Sequence, residues 1–67
     1  MSPTKTMAMR LKALREKRQL SQEALARKAG ISRTYLARLE TARQDPTLST
    51  LEKLAKALGV KVTRLLE

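Results

Sequence analysis

The feature that most constrains the fold is a helix-start signal that occurs twice, with a glycine between the two copies. Each copy is an apolar residue, a serine, and a second apolar residue five positions after the first: Leu20, Ser21 and Leu25, then Ile31, Ser32 and Leu36. Serine is a preferred N-cap, and the apolar pair around it packs as a hydrophobic staple. Gly30 can close the earlier helix in the left-handed conformation. The pattern predicts two short helices joined by a very tight turn.

The segment before this pair predicts one helix and a short arm. Met7, Leu11 and Leu14 recur at helical spacing and form one apolar stripe. We expect this helix to begin near Met7, with Thr6 as its N-cap, and to end at residue 18 or 19. Residues 1–5 precede any apolar pattern and are expected to form a flexible N-terminal arm, which leaves residues 6–67 as the folded domain.

The rest of the sequence gives the extent of the third helix and predicts two more helices after it. The third helix should run from Arg33 to about residue 41, and the polar stretch 43–46 ends it. A capping box from Ser49 to Glu52 predicts the start of a fourth helix, which Gly59 closes. Residues 60–66 should pack as a last turn or two. With twelve Leu, nine Ala, one Tyr and no Phe or Trp, the chain is predicted to be all-α, with five short helices in one domain.

The charge balance indicates the class of partner. Fifteen Lys and Arg against six Asp and Glu give a net charge of +9, which attracts polyanions such as nucleic acid. Residues 1–43 carry eleven of the basic and three of the acidic side chains, so this part faces the anionic partner. The chain lacks Cys and His, so thiolate and imidazole chemistry are absent. We expect no enzyme activity, no metal and no cofactor, and a cytoplasmic protein that does not enter a membrane.

The two central helices have the geometry of a helix-turn-helix unit, and the wider sequence has a family resemblance. The chain resembles the lambda-repressor-like helix-turn-helix family, the Cro and phage-repressor group also called XRE-type regulators. The resemblance spans about residues 10–66. It depends on Leu14-Arg15, Leu20-Ser21-Gln22, Leu25-Ala26, Gly30-Ile31-Ser32, Leu39-Glu40, Pro46, Leu51, Leu54-Ala55 and Leu58-Gly59-Val60. Gln19 and Ala42 stand where the family often has Gly, and we expect these helix ends to use other turns.

The third helix is predicted to contact DNA bases. Winding it at about 100° per residue gives one polar, basic face with Arg33, Thr34, Ala37, Arg38 and Thr41, and an opposite face with Tyr35, Leu36 and Leu39 that enters the core. The first face is that of a major-groove helix, because arginine pairs with guanine and a small residue allows close approach. The resemblance implies base contacts at four of these positions: Arg33, Thr34, Ala37 and Arg38. The plain alternative is the solvated face of an amphipathic helix.

Phosphate contacts are predicted at the starts of the two motif helices and just after the third. Helix N-termini bind phosphate, which predicts such contacts at Ser21, Gln22 and Ser32. For both serines, simple helix capping is compatible with this role. The resemblance implies a phosphate contact for Gln22 as well, and for Thr41 and Arg43. It also implies a structural ion pair between Arg15 and Glu40.

The nearly neutral C-terminal part predicts either a dimer contact or a lid on the core. Val60, Val62, Leu65 and Leu66 form an apolar group there that suits a homodimer interface, and packing onto the monomer core is the equal alternative. A homodimer would require a palindromic operator. The favoured function is a sequence-specific double-stranded DNA-binding transcriptional regulator, a repressor. The alternative is an antitoxin or another protein-interaction module whose main partner is a protein such as a cognate toxin. A restriction-modification controller protein has the same sequence signature.

Overall fold

Five α-helices account for most of the residues that the computed structural model describes, which are residues 3–67. They are α1 (Pro3–Lys17), α2 (Gln22–Ala29), α3 (Arg33–Glu40), α4 (Leu48–Leu58) and α5 (Thr63–Leu66). No strand occurs within this range. The all-α, five-helix prediction is therefore confirmed, and the tight turn between α2 and α3 lies at Gly30.

The start of α1 differs from the prediction. The helix begins at Pro3, so Thr6 lies inside it and residues 3–5 of the predicted arm are helical. Proline suits the first helical turn because its missing N–H has no partner there in any case. The Thr4 hydroxyl also donates to Asp45 in the loop after α3. The apolar stripe missed this start because these added turns carry no apolar signal, and residues 1 and 2 lie outside the described range.

The N-caps of the two motif helices are confirmed, whereas that of α4 was predicted at the wrong residue. Ser21 Oγ accepts from the Ala24 N–H and Ser32 Oγ from the Tyr35 N–H, each at 3.0 Å. The cap of α4 is Thr47, whose Oγ1 accepts from the Thr50 N–H at 3.1 Å, so Ser49 lies inside the helix. Thr47 directly follows Pro46. Proline has neither a backbone N–H nor a side-chain oxygen, so it cannot form this kind of cap, whereas the threonine that follows it can.

All four helix ends from α1 to α4 close with the same backbone turn. After α2 and α4 the residue next to the helix has positive φ, 73° at Gly30 and 71° at Gly59. After α1 and α3 the second residue beyond the helix does, with 56° at Gln19 and 59° at Ala42. In each turn the next N–H donates to a carbonyl five residues earlier, as Arg43 does to Arg38 at 3.0 Å. This pair of features defines the Schellman motif. The prediction that Gln19 and Ala42 use other turns was wrong, because the hydrogen bonds enforce the left-handed conformation without glycine.

The residue that follows each positive-φ position differs between the turns. Leu20, Ile31 and Val60 are half-buried and pack against the core. An apolar contact at this position commonly accompanies the motif. The turn after α3 instead has Arg43, which is exposed. Three of these turns therefore fasten a helix end to the core, while the fourth presents a cation to solvent.

Leucine makes up most of the core, with alanine and Met7 filling the rest. All five helices contribute, and the side chains under 2% exposed are Leu11, Leu25, Leu36, Leu39, Leu54, Leu58 and Leu65. Burial of each such side chain contributes about 1.5–3 kcal/mol. Leu65 therefore cannot belong to the predicted dimer contact, since α5 turns it into the monomer. Val60 and Val62 are half-buried against the core, and Leu66 is 56% exposed.

Candidate nucleic-acid interface

The two faces of α3 have opposite exposure. Leu36 and Leu39 are fully buried, whereas Arg33, Thr34 and Arg38 are exposed. Ala37 lies between the exposed side chains and is half-buried. We call the surface formed by Arg33, Thr34, Ala37 and Arg38 the recognition face. The side chains that reach solvent are those that helical winding of the sequence predicted. The base contacts of these residues remain a prediction.

Two shallow depressions bring the remaining predicted contact residues to this face. One is lined by Thr34, Ala37, Arg38, Thr41 and Arg43. The other is lined by Arg15, Ser21, Gln22, Glu23 and Arg33. Ser32 caps α3 and is exposed at its N-terminus. The start of α2, the whole of α3 and the turn after it thus form one continuous surface.

An ion pair fixes α3 against α1. Arg15 Nε and Nη2 donate to Glu40 Oε2 and Oε1 at 2.7 and 3.0 Å, and Arg15 Nη1 donates to the Leu20 carbonyl at 2.7 Å. The Glu40 side chain is 2% exposed and that of Arg15 is 12% exposed. Hydrogen bonding to Glu40 raises the pKa of Arg15, and this effect outweighs the opposing one of burial. The pair that the resemblance implied is therefore present, and it holds the C-terminal end of α3 against α1.

Gln22 joins the same carboxylate from α2. Its Nε2 donates to Glu40 Oε1 at 3.1 Å, and the residue is half-buried. An amide nitrogen carries two hydrogens, so this bond uses one and leaves the other free to donate outward. Side chains from α1 and α2 thus meet at one carboxylate of α3. Sequence analysis missed this contact, because it depends on how α2 crosses α3 and no local spacing encodes it.

The hydroxyls predicted to contact phosphate differ in how free they are. Ser21 and Ser32 use their oxygens as acceptors in the helix caps, so each retains its hydroxyl hydrogen for another partner. The Thr41 hydroxyl donates back to the Ala37 and Arg38 carbonyls, at 3.1 and 3.2 Å. A phosphate contact from Thr41 requires this hydroxyl to turn outward.

A second polar contact holds α3 against α4. Tyr35 Oη donates to Thr50 Oγ1 at 3.3 Å, and the Thr47 hydroxyl lies 3.0 Å from the same oxygen. Thr50 is buried, at 8% exposed. Sequence analysis had not singled out Thr50. The three-residue spacing from Thr47 to Thr50 was the signal that could have found both the cap and this contact.

The structure also bears on the excluded classes of site. Nowhere between residues 3 and 67 do three or more Asp or Glu side chains cluster in a way that could hold a metal ion. Over the same range, no helix is long and apolar enough to cross a membrane.

Known proteins are similar to this chain in sequence and in fold. The helix-turn-helix family HTH_3 matches residues 11–65. The immunity repressor protein of Bacillus phage phi105 is 52% identical over 58 residues, which cover 87% of this chain and 40% of the repressor. Control protein C.SmaI of Serratia marcescens is 43% identical over 60 residues, which cover 90% of this chain and 71% of that protein.

Solved structures agree with these relatives. The crystal structure of SinR from Bacillus subtilis, the master regulator for biofilm formation, in complex with DNA superposes with a TM-score of 0.88 at 35% identity. The match covers 91% of this chain and 98% of that SinR chain. Three curated relatives, the phage repressor among them, are longer proteins, and this chain spans 40% to 61% of their length. The family match, the identities and the superposition agree, and the chain belongs to the HTH_3 helix-turn-helix family, the lambda-repressor-like group that its sequence resembles.

Proposed function

We propose that this chain is a sequence-specific double-stranded DNA-binding transcriptional regulator that acts as a repressor by placing α3 in the major groove. The observation that carries this proposal is the recognition face: one side of α3 is basic and open while the other is locked into a leucine core. A helix that contacts base edges has to be held rigidly by the rest of the domain. The phage immunity repressor among the relatives supports the repressor role.

Each residue of the recognition face has a proposed task. Arg33 and Arg38 each donate bidentately to the O6 and N7 atoms of a guanine. Thr34 donates to a base or contacts a thymine methyl group, and Ala37 lets the helix approach the base edges closely. Arg33 and Arg38 are exposed, so neither has to leave a buried position to reach DNA.

The surrounding residues hold the domain in register on the phosphates. Ser21, Ser32 and Gln22 donate to phosphate oxygens from the starts of α2 and α3, where helix dipoles favour an anion. Glu40 orients the Gln22 amide, which supports an outward-facing hydrogen on that side chain. Arg43 and Thr41 contact the phosphates at the other end of α3, and the exposed position of Arg43 in its turn supports this role.

A homodimer on a palindromic operator completes the proposal. A single recognition helix reads few base pairs, and two copies about 34 Å apart would read two half-sites on the same side of DNA. The exposed Leu66 and the half-buried Val60 and Val62 supply apolar surface for the contact. Sedimentation of the free protein at increasing concentration tests this part separately, and a strictly monomeric protein at all concentrations would contradict a stable dimer.

The decisive experiment is selection of bound DNA from a random duplex pool at about 150 mM salt, followed by titration of the selected site. We expect an enriched palindrome. Arg38→Ala should weaken binding by about 1–3 kcal/mol and relax the preference at one base pair, whereas Gln22→Ala should weaken all sequences alike. Lys61→Ala is the matched control, because it removes one exposed charge far from the recognition face in sequence. A pool without enrichment, with binding set only by salt, would contradict sequence-specific function.

A further inference from the structure

A second basic surface lies between α1 and α5. This α1–α5 groove is lined by Arg10, Ala13, Leu14 and Lys17 of α1 and by Arg64 of α5. Its three cations are exposed, and none of the described residues that line it is acidic. Neither of the ion pairs found among the described residues involves them. The function proposed above uses none of these side chains.

The groove lies on the flank of α1 that faces away from α3. Arg10, Ala13 and Lys17 recur at spacings of three and four residues and so share one stripe of the helix. At about 100° per residue, the middle of this stripe lies roughly 170° around the helix from Arg15. Arg15 points to Glu40 of α3, so α1 separates the groove from the recognition face. A duplex seated on α3 therefore leaves the groove open.

The chemistry of the groove is mixed. Its floor is the methyl group of Ala13 and the edge of Leu14, which is 8% exposed. Its rim is cationic, with Arg10 and Lys17 about 10 Å apart along the helix axis. A phosphate backbone would pair with the rim, but its sugar carbons form no continuous apolar stripe for the floor. An amphipathic helix with carboxylates beside an apolar stripe satisfies both parts, since its own turns repeat every 5.4 Å or so.

We propose that the α1–α5 groove docks an acidic amphipathic helix of a partner protein, on the flank that stays free when α3 occupies DNA. The apolar stripe of that helix packs on Ala13 and Leu14. Its carboxylates pair with Arg10, Lys17 and Arg64, and an arginine can hold a carboxylate bidentately. The proposal is independent of base recognition by α3, and it assigns a binding role to the three cations of this flank.

The test uses a defined probe and two matched triple variants. The probe is a synthetic helical peptide with leucines on one stripe flanked by glutamates, and its partner has every Glu replaced by Gln. The groove variant carries Arg10→Ser, Lys17→Ser and Arg64→Ser. The control variant carries Lys28→Ser, Lys53→Ser and Lys56→Ser in a lysine-lined groove between α2 and α4, so both lose the same charge. Binding is followed by fluorescence anisotropy, and folding by circular dichroism.

We expect the acidic peptide to bind the wild-type chain, and the groove variant to bind it about tenfold more weakly than the control variant does. Ala13→Glu, a single exposed change on the floor, should abolish binding while leaving the helix content intact. Discrimination between operator and mismatched DNA should be the same in the groove variant as in the wild type.

Four results would overturn the proposal. Equal weakening by both triple variants would show a general response to charge. Equal binding of the Gln peptide would remove the role of the cations. The groove would be assigned to DNA if random-sequence duplex DNA displaced the peptide and the groove variant no longer bound that duplex. A change of oligomeric state in the groove variant would assign it to contact between copies of this chain.

Discussion

The turns before and after α3 have the same hydrogen-bonding pattern but opposite choices of residue. Before α3, the turn from α2 has Gly30 at positive φ, followed by Ile31, which packs on the core. After α3, Ala42 has positive φ and is followed by the exposed Arg43. The first turn has the residues that stability favours. The second turn has alanine in place of glycine and arginine in place of an apolar residue. The C-terminal end of α3 is stabilised instead by the buried pair of Glu40 and Arg15.

The difference shows which turn has residues that favour stability and which has residues that suit DNA recognition. A left-handed alanine is strained by roughly 1–2 kcal/mol relative to glycine, and an arginine in place of an apolar residue removes a core contact. Both replacements occur at the end of α3 that adjoins the recognition face. The proposed phosphate contact of Arg43 explains the second replacement, and nothing in the structure explains why position 42 is not glycine.

The largest effect is expected from removing the carboxylate that anchors this end. Glu40→Ala should lower the free energy of unfolding by about 3–5 kcal/mol, because it leaves a nearly buried Arg15 without its partner. Urea unfolding followed by circular dichroism measures this change. Glu52→Ala, an exposed carboxylate on α4, is the matched control and should change the free energy by less than about 0.5 kcal/mol. Equal effects of the two substitutions would sink the anchoring role.

The pH dependence of that difference sharpens the same prediction. Hydrogen bonding raises the pKa of Arg15 in the folded state, so this group's contribution is complete below its unfolded pKa and is lost only as the pH rises through the folded pKa. That loss falls beyond ordinary alkaline buffers. The gap between the wild type and Glu40→Ala should therefore stay constant from about pH 7 to about pH 10.

The next effect is on DNA binding, and it tests the role of Arg43 in the turn after α3. Arg43→Ile places at this turn the residue that follows Gly30. It should weaken binding to every DNA sequence by about 1.5 kcal/mol and lower the slope of log affinity against log salt by about 1, since one phosphate contact is lost. The free energy of unfolding should not fall. A change confined to one base pair of the operator would assign Arg43 to base recognition instead.

A smaller loss is expected when the first turn is made like the second. Gly30→Ala should destabilise the domain by about 1 kcal/mol, because alanine is strained at positive φ and glycine is not. An added Cβ at Gly30 meets no atom within 4 Å, so the effect comes from the backbone alone. Gly59→Ala has nearly the same φ and equal space, and should give the same value in thermal unfolding. A large inequality would indicate a different cause.

The smallest effect has the opposite sign. Ala42→Gly should stabilise the domain by about 0.5 kcal/mol, because relief of the strained φ slightly exceeds the added entropy of the unfolded chain. Ala57→Gly, inside α4, is the contrast and should destabilise by about 1 kcal/mol. Both are measured by urea unfolding, and a loss of stability in Ala42→Gly would show that the strain of the left-handed alanine is smaller than the entropy that glycine adds to the unfolded chain.

Local sequence patterns predicted much of this molecule because they act over a few residues. Ser21 and Ser32 were identified as caps, and Gly30 and Gly59 as helix ends, from spacings within one or two turns. The α3 faces followed from winding alone. The cap of α4 was predicted at Ser49, whereas the structure has it at Thr47. Thr50, whose N–H donates to this cap, also bonds to Tyr35 of α3, a contact that local spacing does not encode.

Features that depend on packing between helices were beyond these patterns. For Leu65, a dimer contact and packing onto the core stayed equal alternatives, because nothing local shows that α5 turns it into the core. Gln22 was predicted to contact phosphate, and its hydrogen bond to Glu40, eighteen positions away, was not foreseen. The Arg15–Glu40 pair was found only because the resemblance implied it. Base and phosphate contacts stay predictions, since they belong to the complex with DNA.

The shared carboxylate of Glu40 has a thermodynamic consequence for DNA binding. Arg15 from α1 and Gln22 from α2 both bond to it, so these three helices cannot separate without breaking a buried network. The domain therefore meets DNA as one preformed body. Association coupled to folding adds a large negative heat-capacity change to that of the interface itself. Calorimetry of this chain with its operator should show only the part due to surface buried against DNA.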